Sequence, residues 1–222
     1  MFHWLEKNPF FFVLLVIGMI SFAGLIELIP SFMKNSRPVV GVKPYSVLEL
    51  AGRQIYIKES CNACHSQQIR PFKSETDRYG MYSLSGEYAY DRPFLWGSKR
   101  TGPDLMRVGN VKTTDWHENH MWEPKELVPG TVMPSYKHMY TKLTDLDTAY
   151  AEAYTVKKVF GVPYNEKDMP SIGNSLEESK VIAMSQAKEI VKEMKKENIK
   201  EMIKEGKIPE IVALIAYLNS LK

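Results

Sequence analysis

Cysteine is nearly absent from this chain. Two in 222 residues cannot build a disulfide-dense secreted scaffold, and a zinc centre would have to recruit two further soft ligands from elsewhere. An excess of charge of one sign is also missing. The 29 Lys and Arg against 26 Asp and Glu leave a formal +3, which is no electrostatic footprint for DNA or RNA, so no nucleic-acid partner is expected. Membrane-length hydrophobic runs are missing with one exception, and a mean hydropathy of −0.28 excludes a polytopic membrane protein. With 44% hydrophobic and 25% charged residues the chain is not a disordered tail either, leaving one ordinary domain, or one domain plus an appendage.

The single apolar run reads FFFVLLVIGMISFAGLIELI from Phe10 to Ile29, with Glu27 its only ionisable group. At about 1.5 Å per residue it makes roughly 30 Å of helix, the thickness of a bilayer core. Pro9 and Pro30 are expected to start and stop it, and Trp4 and Phe32 to sit near the two interfaces. Glu27 would reach headgroups or pair with another subunit. Ser21-Phe22-Ala23 has the small-x-small form of a signal-peptide cleavage site, but the apolar run continues through Leu25, Ile26, Leu28 and Ile29. We therefore expect an uncleaved single-pass anchor over residues 1–34 and a separate domain over 35–222. Counting Lys7 against Lys34, Arg37 and Lys43 would place that domain in the cytoplasm. Large domains translocate largely regardless of charge, so the chemistry of the next motif decides orientation.

Both cysteines fall in Cys61-Asn62-Ala63-Cys64-His65. CxxCH is the c-type haem attachment sequence. Thiols at i and i+3 on one turn reach the two vinyl groups of one porphyrin, and the adjacent imidazole is then aimed at the iron. A redox dithiol would give His65 no task. One covalent haem c, attached through Cys61 and Cys64 with His65 as axial ligand, is the expectation, which places the domain outside the cytoplasm.

Around this motif the chain resembles a class I cytochrome c. Gly52-x-x-x-Tyr56 ahead of Cys61 looks like that family's first helix, where a small residue permits close crossing with the last. Pro209 to Leu218, with an apolar face of Ile211, Leu214, Ile215 and Leu218, looks like the last helix. Thr101-Gly102-Pro103-Asp104-Leu105 resembles the GPxL stretch. The resemblance implies that the Pro103 carbonyl accepts the Nδ1 proton of His65, and that Leu105 lies against the porphyrin beside Tyr56 and Pro134. For the sixth position a thioether suits a high-potential haem. Of 12 methionines, Met133 in Pro129-Gly130-Thr131-Val132-Met133-Pro134 and Met169 in Asp168-Met169-Pro170 lie in proline-held loops. Met133 is the first choice and Met169 the second. His117 and His120, at i and i+3, are expected to hydrogen-bond locally or at an interface.

Residues 66–100 separate the attachment motif from the GPxL stretch and carry Tyr79, Tyr82, Tyr88, Tyr90, Phe94 and Trp96 among glycines and prolines. They read as an irregular loop that buries its rings either in the domain's own core or against a partner. Tyr88 through Leu105, with Trp116-His117-x-x-His120, Val128-Pro129 through Met133-Pro134-x-Tyr136, and Gly161-Val162-Pro163-Tyr164, resembles the membrane-anchored monohaem subunit of cbb3-type cytochrome c oxidase. The resemblance runs from the anchor to the end of the chain. It implies an electron relay that makes and breaks no substrate bond, taking electrons from a dihaem cytochrome c subunit and passing them to the low-spin haem b of the catalytic haem–copper subunit. It places the haem domain in the periplasm on a bacterial inner membrane. It also supports Met133, and makes Arg92, Trp96, Ser98, Lys99 and Arg100 candidates for propionate or subunit contacts. Calcium is associated with this boundary in some members; no ligand set follows from these residues. A free-standing anchored shuttle, and a haem enzyme or sensor with an open sixth site, remain the alternatives.

The departure from that pattern lies in residues 176–207. Glu189, Glu193, Glu197, Glu201 and Glu205 alternate with Lys188, Lys192, Lys196, Lys200 and Lys204 on neighbouring stripes of an expected single helix. Each Glu up to Glu201 meets a Lys three residues on, worth about 0.2–0.5 kcal/mol. Ala187, Ile190, Val191, Met194 and Met202 would face the domain, and Gly206 would end the helix before Pro209. The whole is expected to be all-α: a class I cytochrome c-like domain with a long aromatic loop insertion, preceded by one N-terminal transmembrane helix.

Overall fold

The computed structural model describes residues 2–32, 38–97, 99–164 and 175–222. Among them there are helices and turns but no strand; Leu143 and Pro209 form one isolated bridge. The all-α expectation is met. Met169 and Ser98 lie outside the described residues.

The N-terminal unit, residues 1–36, holds helix α1 (Phe2–Lys7) and helix α2 (Pro9–Phe32). The stretch Pro9–Ile29 is long and apolar enough to cross a membrane, and its side chains are not buried within the chain. Pro30 does not stop α2. A proline near a helix end removes one N–H, and the helix runs on for two residues. Trp4 packs its ring 5.3 Å from Phe11.

The second unit, residues 37–222, is built on the crossing of helix α3 (Val47–Lys58) with helix α10 (Glu210–Ser220). Ser46 starts α3 through a reciprocal cap: its hydroxyl accepts the Glu49 N–H, and its own N–H donates to the Glu49 carboxylate at 2.7 Å. At the crossing, a Cβ on Gly52 would overlap the Ala213 carbonyl, so the small residue expected there is required. The last helix departs from its expected single apolar face. Every residue from Ile211 to Leu218 is buried, because α3, helix α5 (Thr114–Trp122) and helix α8 (Leu176–Lys192) surround it. Helix α7 (Leu146–Phe160) packs on α3, begins under an Asp145 cap and ends at Gly161 in the left-handed conformation, φ 64°. Tyr164 beyond it is buried and donates to the Tyr45 carbonyl at 2.9 Å.

The insertion 66–100 is not wholly irregular, since helix α4 (Lys73–Tyr79) forms within it. Its rings divide. Tyr88 is buried and donates to the Gln67 carbonyl at 2.8 Å, forming a small second core with Ile69 and Met106. Phe94 and Trp96 instead stack at 4.5 Å and stay 37% and 40% exposed. The loop is fastened by Arg53, a fully buried side chain of α3 whose guanidinium donates to the Arg92 and Pro93 carbonyls.

The charged segment is two helices rather than one. Helix α8 ends at Lys192 and helix α9 (Glu197–Lys204) begins after a break. The break has a cause inside the domain. The buried carboxylate of Glu118, on α5, accepts the Lys195 N–H at 2.7 Å and the Lys196 N–H at 3.0 Å, taking donors that a continuous helix would use internally. Lys196 also lies 4.0 Å over the Trp122 ring. The break shifts the register of the apolar face: Ala187, Val191 and Met194 are buried as expected, but in α9 the inward residues are Ile199 and Ile203, with Met202 half-buried. Glu–Lys pairs three apart form at Glu189–Lys192 and Glu197–Lys200, and Gly206, at φ 79°, ends α9.

Candidate haem site

Helix α3 delivers the attachment motif. Ser60 takes a left-handed conformation, φ 57°, which turns the chain out of α3 into the tight turn Cys61–Ala63. The Cys64 and His65 N–H groups close back on the Cys61 carbonyl at 3.2 and 2.9 Å, so both thiols and the imidazole sit on one turn. Both thiols are free, and burial pushes the Cys61 thiol pKa up to about 12. A nucleophilic thiol needs a lowered pKa, so the surroundings of Cys61 do not make it one.

His65 is held from three sides. The Tyr56 hydroxyl donates to its carbonyl at 3.1 Å. Gly102 donates its N–H to the Cys64 carbonyl at 3.0 Å and lies so close beneath the imidazole that a Cβ there would run into the ring. Nδ1 is 2.8 Å from the Pro103 carbonyl, which can only accept, so Nδ1 carries the proton and Nε2 is left with a lone pair. Burial lowers the His65 pKa and favours the neutral ring that binds metals. The next residue, Asp104, is buried and joins the two halves of this wall. Its carboxylate accepts from the Ser66 hydroxyl at 2.5 Å, from Gln68 N–H at 2.9 Å and from Met106 N–H at 2.9 Å.

These residues form one wall of a cavity of about 580 Å³, within the range of cofactor sites. Leu105, Met133, Pro134 and Tyr136 line it as well. Met133 comes from the stretch between helix α6 (Pro124–Leu127) and the turn Lys137–Tyr140. That stretch is held by Met133 N–H on the Thr131 hydroxyl at 3.2 Å and Tyr136 N–H on the Met121 carbonyl at 2.8 Å.

His117 and His120 reach the same cavity from α5. The local hydrogen bonds expected for them are absent: both ring nitrogens of His117 and Nδ1 of His120 are buried without a hydrogen-bond partner. Trp116 stacks on His120 at 4.4 Å. Burial lowers both imidazole pKa values, that of His117 to about 4. Each buried polar atom without a partner costs about 1–3 kcal/mol. Thiols and imidazole on one wall, a thioether loop among the lining and apolar Leu105 together fit a porphyrin.

The sequence model of the family described as "Cytochrome C oxidase, mono-heme subunit/FixO" matches residues 2–222. The chain belongs to this family. Comparison with curated proteins gave no match. Membership makes it a mono-haem subunit type of a cytochrome c oxidase, with one haem and other oxidase subunits as company.

Tyr56, expected against the porphyrin, does not line the cavity; it is buried on the Tyr217 ring and reaches only the His65 carbonyl. The other family-derived positions lie on the insertion. Trp96 is at the surface on Phe94, and Lys99 is exposed. Arg92 lies over the Phe94 and Phe160 rings at 5.7 and 5.3 Å and donates to the Asp91 carbonyl. Arg100 is spent inside the chain, on Glu75 at 2.7 Å, the Ser66 hydroxyl at 2.6 Å and the Gln68 carbonyl at 2.6 Å. That mesh pulls the Glu75 carboxyl down to about 2, chiefly through Arg100. Arg53, Asp104 and Glu118 were not singled out by sequence. Asp104 stands within the quoted GPxL stretch, which was a usable signal, whereas nothing in a helical arginine or glutamate pattern marks the other two as buried.

Proposed function

We propose that the chain is the electron-relay subunit of a cbb3-type oxidase, holding one covalent haem c through Cys61 and Cys64 with His65 and Met133 on the iron. The observation that carries this is the fixed His65 ring, with Nδ1 on the Pro103 carbonyl and Nε2 free, on the same turn as both thiols. When bound, the haem supplies a one-electron couple, which a His/Met pair biases toward positive potential. Everything else is work for this chain's residues. Pro103 and Gly102 fix the tautomer and the plane of His65, and Met133 offers a weak sulfur ligand from its loop. Leu105 and Pro134 exclude water. Phe94, Trp96 and Lys99 meet the catalytic haem–copper subunit, with Arg92 and Arg100 stiffening the loop from within. Electrons would arrive from a dihaem cytochrome c subunit, with this domain in the periplasm and residues 10–29 in the inner membrane.

The test is mass spectrometry and pyridine haemochrome of the purified chain. A mass increment of one haem, lost in Cys61→Ser/Cys64→Ser, is expected; bare polypeptide mass with no haemochrome rejects the reading. Met133→Ala is expected to remove the long-wavelength thioether band of the ferric protein. A band that persists moves the sixth ligand elsewhere, to Met169 first.

A further inference from the structure

Beside the attachment turn lies a second group of ligating side chains that the haem does not use. We propose that Glu59, His138 and Glu210 bind a divalent cation of the zinc class. One ligand atom from each lies within 4.8 Å of the others. The three come from separate, well-anchored places: the end of α3, the turn Lys137–Tyr140, and the first residue of α10. His138 Nε2 is 3.1 Å from Glu59 Oε1, close to the edge of a tetrahedron with roughly 2.1 Å metal bonds.

The competing account is two ion pairs, His138–Glu59 and Lys58–Glu210, with nothing else. It leaves a defect. Glu210 is 5% exposed; Lys58 occupies Oε1 at 2.6 Å, and Oε2 is buried with no hydrogen-bond partner. A buried carboxylate oxygen without a partner is costly. Two carboxylates against the single ammonium of Lys58 leave the cluster net negative when His138 is neutral, the form that coordinates a metal. One imidazole and two carboxylates are a borderline donor set, which suits zinc and disfavours calcium, whose ligands are all oxygen. Lys58 is more than half exposed and free to move aside. The fourth position would be water.

The binding claim stands without the haem reading; its consequence rests on it. Glu59 precedes Cys61 by two residues and His138 follows Met133 by five, so an ion here would tie the segments that present the two proposed axial ligands to the base of α10.

The experiment uses the full chain in detergent, carrying no polyhistidine tag and stripped with chelator, titrated calorimetrically with Zn²⁺ alone. One ion per chain is expected, with affinity at least tenfold weaker in His138→Gln and several-fold tighter in Lys58→Met, where no ammonium competes for Glu210. Ca²⁺ in place of Zn²⁺ is expected to bind at least tenfold more weakly. No binding, identical isotherms for the unaltered chain and His138→Gln, or unchanged or weaker binding in Lys58→Met overturns the site. Equal affinity for calcium overturns the zinc-class assignment. Circular dichroism shows that each variant is folded, and the haemochrome is read separately, so failure of the haem reading would show there and not in the zinc isotherm.

Discussion

The two walls of the cavity are held by different means. The His65 wall belongs to the helix crossing: α3 and α10 meet backbone to backbone at Gly52, and the turn after α3 is bonded to residues 102–104. The Met133 wall is a stretch of largely exposed chain from Leu127 to Ser135, held by a few bonds of its own. On the proposed ligation, a strong nitrogen ligand would sit on the stiff side and a weak sulfur ligand on the loose side. The difference teaches where stability and tuning separate. Damage to the first wall should reach the fold, while damage to the second should change the iron's surroundings and leave the fold alone.

The largest effect is expected at Gly52. Gly52→Val meets the Ala213 carbonyl, which cannot move aside as a side chain can, so the loss should exceed the about 1–3 kcal/mol usual for overpacking and abolish cooperative thermal unfolding. A normal melt would break the comparison at its root. Gly102→Ala should be more selective. It displaces the His65 ring from the Pro103 carbonyl, so the low-spin spectrum is expected to fail while the far-ultraviolet dichroism keeps its helical content. Met133→Ala should alter the spectrum and cost less than about 1 kcal/mol in the melt of the same chain, because its loop contributes little burial. A larger loss would show the loop wall to be as structural as the other.

Acid should also act on the insertion, below the range in which the buried imidazoles take up protons. Glu75 faces Arg70 and Arg100, with Asp104 beyond, and its folded pKa near 2 lies below the ordinary 4.5. Its contribution is therefore complete above about pH 4.5 and is lost as pH falls toward 2. Tryptophan fluorescence should shift over that window, and Glu75→Gln should remove the shift; an identical acid titration in the variant contradicts the assignment. The smallest effect is expected from Lys192→Ala, which deletes an exposed pair with Glu189 and should change the melt by no more than about 0.5 kcal/mol.

Much of the stiff wall was legible in the sequence because its chemistry is local. CxxCH, the glycine at the crossing and the GPxL stretch each occupy a few consecutive or helically spaced residues. The family match extends that reading over the whole chain. What escaped was long-range and polar. The alternating Glu and Lys rows predict one helix, and nothing in them shows that Glu118, 77 residues earlier, takes the backbone donors at 195 and 196. Arg53 looks like an ordinary helical arginine until its partners at 92 and 93 are known. The aromatic count in 66–100 predicts burial, but not that Tyr88 goes inward while Phe94 and Trp96 stack outward. His117 and His120 were visible as a pair, and only the cavity shows that they lack local partners.

Arg53 carries a mechanical implication. Because one guanidinium grips the main chain just ahead of Phe94 and is rooted in the helix that ends at the CxxCH turn, the stacked rings and that turn cannot shift independently. On the proposed reading, a neighbour docking on those rings would register its position against the haem through a single rigid strut, so the spacing across which an electron must tunnel would be set before contact is made.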